Sequence, residues 1–163
     1  MILNADQVMQ LLPHRDPFLF IDSVESISIP GRQQEAGEIF EPKDIVNAEV
    51  VAHYKTKKDH IIFKGHFPDY PIFPGVLQVE MMAQATCFIV FLLYKNPLAM
   101  KMEVALLSVN EAKFRKPVFP EMDLKIVSVY KKTRGLIITS ECKIYHNDQL
   151  MSEATFMASL KMQ

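Results

Sequence analysis

The stretch Val76-Leu77-Gln78-Val79-Glu80-Met81-Met82-Ala83-Gln84-Ala85-Thr86-Cys87-Phe88-Ile89-Val90-Phe91-Leu92-Leu93-Tyr94 holds one formal charge, Glu80, in 19 positions. A helix that is apolar on nearly every side has no face to offer water, so Val76 to Tyr94 reads as a helix enclosed by protein. Its charge-free portion, Met81 to Tyr94, is 14 residues, short of the roughly 18 to 20 that span a bilayer. Asn96-Pro97 closes it. Only a strongly curved sheet can cover a single helix on most sides.

The flanking sequence supplies that sheet. Downstream, Val104 to Val109, Ala112 to Arg115, Leu124 to Lys131, Leu136 to Tyr145 and Leu150 to Leu160 read as strands, separated by Lys-Pro, Thr-Arg-Gly and Asn-Asp turn signals. Upstream, Asn4 with Gln7 forms a capping box for a short helix through Val8, Leu11 and Leu12 that stops before Pro13. Phe18, Phe20 and Asp22 to Ile29 favour strand, ended by Pro30-Gly31, and Val46 to Tyr54 reads as another. Between them Arg32 to Asp44 is a polar excursion. Elements segregated in this way define an α+β class, a long central apolar helix wrapped by a curved antiparallel sheet. At 163 residues, the whole chain is expected to form one domain, 1–163.

Eighteen basic against nineteen acidic side chains leave a net charge of -1, which supplies no global field for a polyanion. Two cysteines, Cys87 and Cys142, make no disulfide framework and have no zinc-ligand spacing. His53, His60 and His66 likewise lack ligand spacing, so no metal is expected. No glycine-rich nucleotide fingerprint is present, and no cofactor is expected. The first residues, Met1 to Gln7, lack a cationic and apolar export signal, so a reducing cytoplasm is the expected location.

Chemistry concentrates just before the apolar helix. Gly65 to Gly75 packs three prolines and two glycines into eleven residues, an ordered loop. It carries His66. A buried unpaired carboxylate costs several kcal/mol, so Glu80 must either find a partner or hold its proton. Pro74-Gly75 leaves unpaired N–H groups at the helix start, and Gly75 lets a ligand approach the backbone closely. Each feature alone has a plainer reading: a surface histidine, and a glutamate facing solvent near a positive helix end. Together they supply a base, an acid and donors for a carbonyl oxygen. Neutral imidazole takes a proton near neutrality, whereas a glutamate in apolar surroundings has its pKa raised and donates one. That combination suits elimination of water from a β-hydroxyacyl compound.

Three separated blocks carry a family resemblance. Leu12-Pro13-His14-Arg15-Asp16-Pro17-Phe18-Leu19-Phe20-Ile21-Asp22 comes first. Gly65-His66-Phe67-Pro68 follows, with Pro71, Pro74-Gly75-Val76-Leu77, Glu80 and Met82-Ala83-Gln84. Ala112-Lys113-Phe114-Arg115-Lys116-Pro117-Val118 with Pro120 comes last. In this order they resemble the β-hydroxyacyl-[acyl carrier protein] dehydratases of the FabZ type.

The resemblance implies a hot-dog fold, a homodimer or trimer of dimers, and conversion of (3R)-3-hydroxyacyl-[acyl carrier protein] to the trans-2-enoyl form during fatty-acid elongation. It makes His66 the base and Glu80 the acid, meeting from different subunits. Gly75 offers its N–H to the thioester carbonyl, and Gln84 orients Glu80. It also implies an acyl tunnel, for which Phe67, Ile72, Phe73, Val76, Val79 and Phe88 are candidates. Acyl carrier protein is the implied partner, with Lys113, Arg115 and Lys116 as candidate docking residues. The chain departs from the family pattern in a long Arg15–His66 interval, in Asp16, and in Lys58-Asp59-His60-Ile61-Ile62. Two other readings stand beside this one. A hot-dog thioesterase would use Glu80 alone and leave His66 without a task, and a non-catalytic acyl-binding domain would need neither.

Overall fold

A computed structural model describes residues 3–35 and 37–163. Helix α1 spans Ala5–Leu11, and its capping box is complete: the Asn4 side chain accepts from the Gln7 N–H while the Gln7 side chain accepts from the Asn4 N–H, each at 3.0 Å. Strands β1 (Ser23–Ser28) and β2 (Glu49–Lys55) precede the central helix α2 (Gly75–Thr86). Strands β3 (Met102–Phe114), β4 (Asp123–Arg134), β5 (Ile137–His146) and β6 (Gln149–Met162) follow it. The six form one sheet in the order β1-β2-β4-β5-β6-β3, and every neighbouring pair is antiparallel.

Period-two burial explains how the sheet wraps the helix. Leu124, Ile126, Ser128 and Tyr130 of β4, Ile138, Ser140, Cys142 and Ile144 of β5, and Ala154, Phe156, Ala158 and Leu160 of β6 point inward and are buried. They close over Leu77, Met81, Met82 and Ala85 of α2. The stretch Gly75–Leu92 has a mean hydropathy of 1.6 over 18 residues, enough to cross a bilayer by composition, yet 72% of it is buried inside the protein. It is a core helix.

Several sequence expectations shift in the fold. The helix read over Val76 to Tyr94 is α-helical only to Thr86 and then tightens into a 3-10 segment, Cys87–Leu92. Thr86 hydrogen-bonds back to the Met82 carbonyl at 3.2 Å, a bond that bends helices, and β-branched Ile89 and Val90 follow. Phe18 and Phe20 join no strand. The side-chain amide of Gln84 takes the place of a strand partner, accepting from the Phe20 N–H and donating to the Phe18 carbonyl, both at 2.8 Å. The two segments read before and after Asn110 are one strand, β3. Its pattern breaks there because the register shifts between Val109 and Glu111. Strand β2 begins at Glu49 rather than Val46, after Asn47 turns the chain with φ 67. In the Arg32 to Asp44 excursion, the described residues hold only the start of a 3-10 turn, Pro42–Ile45.

Strand β3 lies at the sheet edge with β6 on one side. Leu106, Leu107, Val109 and Phe114 are exposed along it. Open ladder groups and apolar side chains on one edge make a surface poised for pairing.

Candidate active site

His66 is held by its own loop. A 3-10 turn, Ile61–Lys64, delivers the chain to it, and the His66 N–H donates to the Ile62 carbonyl at 3.0 Å. The His66 carbonyl accepts from the Ile72 N–H at 2.8 Å, and Phe67 and Tyr70 exchange both backbone hydrogen bonds at 3.1 Å. The imidazole stacks on the Phe67 ring at 4.1 Å between centroids, and its Nδ1 lies 2.8 Å from the Ile72 carbonyl oxygen. A carbonyl only accepts, so Nδ1 carries the hydrogen and the neutral ring keeps its lone pair on Nε2.

The start of α2 presents donors. Pro74 at the cap supplies no side-chain acceptor. Among the described residues nothing accepts from the Gly75 and Val76 N–H groups, which lie at the positive end of the helix dipole. Val76 is 75% exposed. A Cβ at Gly75 would sit 2.9 Å from the Phe114 ring, so only glycine leaves this approach clear without moving that ring. Gly75 lines a shallow depression with Ile72, Phe73, Gln78, Phe114 and Arg115. Gln78, a polar residue given no role in the sequence reading, anchors the helix start. Its amide donates to the Phe73 carbonyl at 3.2 Å, and its carbonyl accepts from the Ser152 hydroxyl at 2.7 Å.

Glu80 finds partners. Its side chain is 23% exposed, Gln84 Nε2 donates to Oε1 at 2.9 Å, and His14 Nε2 approaches the same oxygen at 3.2 Å. Hydrogen bonding from His14 holds the carboxyl below its usual range. Desolvation pushes the other way and is outweighed, with Gln84 adding to the lowering. This corrects the expectation of a raised pKa, which counted the apolar helix but not the segment laid across it. The histidine was visible in Leu12-Pro13-His14-Arg15. No periodicity, however, linked it to a residue 66 positions away.

Within the chain His66 and Glu80 have separate partners, and no hydrogen bond or ion pair joins them among the described residues. Of the apolar candidates, Phe73 and Phe88 are wholly buried in this chain's core. Phe73 packs edge-on against Phe20 at 5.6 Å. Val79 is buried, Ile72 is half-buried, and Phe67 and Val76 are exposed. Lys113, Arg115 and Lys116 are all exposed. Lys113 pairs with Glu111 and Arg115 with Glu153, while Lys116 has no ion-pair partner among the described residues. The described residues contain no group of three or more His, Cys, Asp or Glu able to hold a metal ion.

Over most of its length the chain matches a known family. The model of the FabA-like domain matches residues 12–155, and the chain belongs to that family. Its curated relatives are of the FabZ type. The 3-hydroxyacyl-[acyl-carrier-protein] dehydratase FabZ of Sulfurovum sp. (strain NBC37-1) is 35% identical over 169 residues, covering 98% of each chain. The enzyme of the same name from Desulfotalea psychrophila is 36% identical over 154 residues, covering 93% of this chain and 89% of that one. Among solved structures, the dehydratase heterocomplex ApeI:P from Xenorhabdus doucetiae superposes with a TM-score of 0.68 at 16% identity, covering 94% of this chain and 90% of that one. A mutant thioesterase from Pseudomonas aeruginosa superposes at 0.60 with 11% identity, covering 98% and 95%. The architecture they share with this chain is the hot-dog fold.

Proposed function

We propose that this chain dehydrates (3R)-3-hydroxyacyl-[acyl carrier protein] to the trans-2-enoyl thioester, the step of fatty-acid elongation its FabZ-type relatives are named for. The observation that carries the reading is the fixed His66 tautomer, which leaves a basic Nε2 in a rigid loop ahead of a helix that bears Glu80 and open N–H groups. A thioester carbonyl accepting from Gly75 N–H has its α-carbon acidified, because developing negative charge is stabilised at the helix start. His66 Nε2 removes the α-proton, and the C–H electrons form the double bond. The C3–O bond breaks, Glu80 gives its proton to the departing hydroxide, and water leaves. With its pKa lowered, Glu80 is ionised in the free protein near neutrality, and it takes up from solvent, as substrate binds, the proton it then donates. A bound acyl chain covers the carboxyl and adds desolvation, which favours the protonated form needed for the step.

The site is completed by a second copy of the chain. No hydrogen bond or ion pair joins His66 and Glu80 within one chain, and β3 offers an open, apolar edge to a partner. On this reading residues 1–163 act as one catalytic unit in the cytoplasm, where reducing conditions suit two free, buried cysteines. The acyl chain lies against Phe67, Ile72, Val76 and Val79 at the chain-to-chain interface. The acidic carrier protein docks at the rim that includes Lys116, the docking candidate without an acidic neighbour.

The test is product identity. Purified protein given 3-hydroxyacyl-[acyl carrier protein] is expected to form the enoyl thioester and leave the thioester bond intact. Release of free acid would support the thioesterase reading instead, and binding without turnover the non-catalytic one.

A further inference from the structure

The segment between α1 and β1 is laid across α2 and reaches Glu80. Gln84, 1% exposed, clamps it through the Phe18 carbonyl and the Phe20 N–H. Arg15 curls back to donate to the Leu12 and His14 carbonyls at 2.8 and 2.6 Å, and the Phe18 N–H donates to the Arg15 carbonyl at 2.7 Å. These bonds fix the turn that aims the His14 imidazole at the helix. Its Nε2 stops 3.2 Å from Glu80 Oε1, and its Nδ1 is buried with no hydrogen-bond partner among the described residues.

The unpartnered Nδ1 decides the proton arrangement. A doubly protonated ring would bury a second N–H with nothing to accept it, which costs about 1–3 kcal/mol. A neutral ring with hydrogen on Nε2 leaves only a lone pair there and directs its N–H at the carboxyl. Oε1 then faces two N–H groups, from His14 and Gln84, and both its lone pairs are engaged. Oε2 has no protein partner among the described residues.

We infer that His14 is a positioning residue for the dehydration: together with Gln84 it occupies Oε1 of Glu80, so the proton given to the leaving hydroxide is carried on Oε2. The inference rests on the reading of Glu80 as the acid. It assigns a task to the Leu-Pro-His-Arg segment, which among the described residues makes no hydrogen bond to Gly75, Val76 or His66. Gln84 alone would leave one lone pair of Oε1 open, and the carboxyl proton could settle on the wrong oxygen.

Three variants test this, with turnover and the titration of the Glu80 side-chain carboxyl followed by carbon NMR. Cys87, in the 3-10 segment that follows α2, also couples to Glu80, and it is unchanged throughout. His14→Phe keeps the ring volume without a donor. It is expected to lower kcat by on the order of tenfold to a hundredfold, the loss typical of an outer hydrogen-bonding partner. KM for the carrier-linked substrate should stay within about twofold, and the Glu80 titration should move to higher pH. His14→Ala should behave alike. His14→Gln restores a neutral N–H donor and is expected to recover much of the turnover and the low titration. Wild-type kcat in His14→Phe, or a loss of kcat with the Glu80 titration unmoved, would overturn the inference. If the wild-type protein forms no enoyl product, the dehydratase reading fails. The NMR titration still decides in that case whether His14 governs the Glu80 carboxyl.

Discussion

His66 Nδ1 lies 2.8 Å from the carbonyl oxygen of Ile72, six residues on in the same loop. That bond sets the ring's tautomer before any substrate arrives, and the Ile72 N–H returning to the His66 carbonyl at 2.8 Å keeps the two residues in register. Nitrogen NMR of the neutral imidazole is expected to show hydrogen on Nδ1 and a lone pair on Nε2. The opposite tautomer would remove the base from the proposed reaction.

Glu80 ties stability to acid. Its folded-state pKa lies below the ordinary 4.5, chiefly through hydrogen bonding from His14, so the unfolded chain binds this proton first as pH falls. The group therefore stabilises the fold above about pH 4.5, and that contribution is lost as pH drops through the lowered folded value. Glu80→Gln is expected to flatten this part of a plot of urea midpoint against pH. An unchanged slope below pH 4.5 would show that the pairing does not hold in solution.

Gly75→Ala separates stability from turnover. The new Cβ would press on Phe114 at 2.9 Å, but that ring lies on the β3 edge, 50% exposed within one chain, and can turn aside without disturbing the core. Alanine also suits a helix better than glycine, by about 1 kcal/mol. The melting temperature should move little, while kcat falls because the methyl crowds the approach to the backbone donors. Equal losses in both would mean that Gly75 serves the fold alone.

Mixing distinguishes a shared site from a private one. After subunit exchange, equal amounts of His66→Ala and Glu80→Gln should regain activity. Half of the dimers are then hybrids with one intact site each, about a quarter of all sites. No recovery, with exchange confirmed by mass spectrometry of labelled chains, would place both groups in one chain's site.

Much of this was legible in the sequence, for physical reasons. An uninterrupted apolar run must be enclosed, so Val76 to Tyr94 defined the core helix and implied the sheet around it. Turn residues such as Asn147-Asp148, both with positive φ, marked the hairpins locally. The histidine loop was readable because its prolines and glycines exclude helix and strand. What escaped was long-range polar pairing. The Gln84 clamp on Phe18 and Phe20, the Gln78–Ser152 bond and the approach of His14 to Glu80 join residues 64 to 74 positions apart. No local pattern announces such bonds. The raised pKa expected for Glu80 failed for the same reason, since burial was visible in sequence and the compensating donor was not.

The most direct measurement is the rate of enoyl thioester formation by the wild type, His66→Ala and Glu80→Gln on one 3-hydroxyacyl-[acyl carrier protein], with folding checked by circular dichroism. The wild type should turn over, and each folded variant should lose at least about a hundredfold, the range removed with a general acid or base. Wild-type rates in either folded variant would contradict the paired imidazole and carboxyl as the catalytic groups.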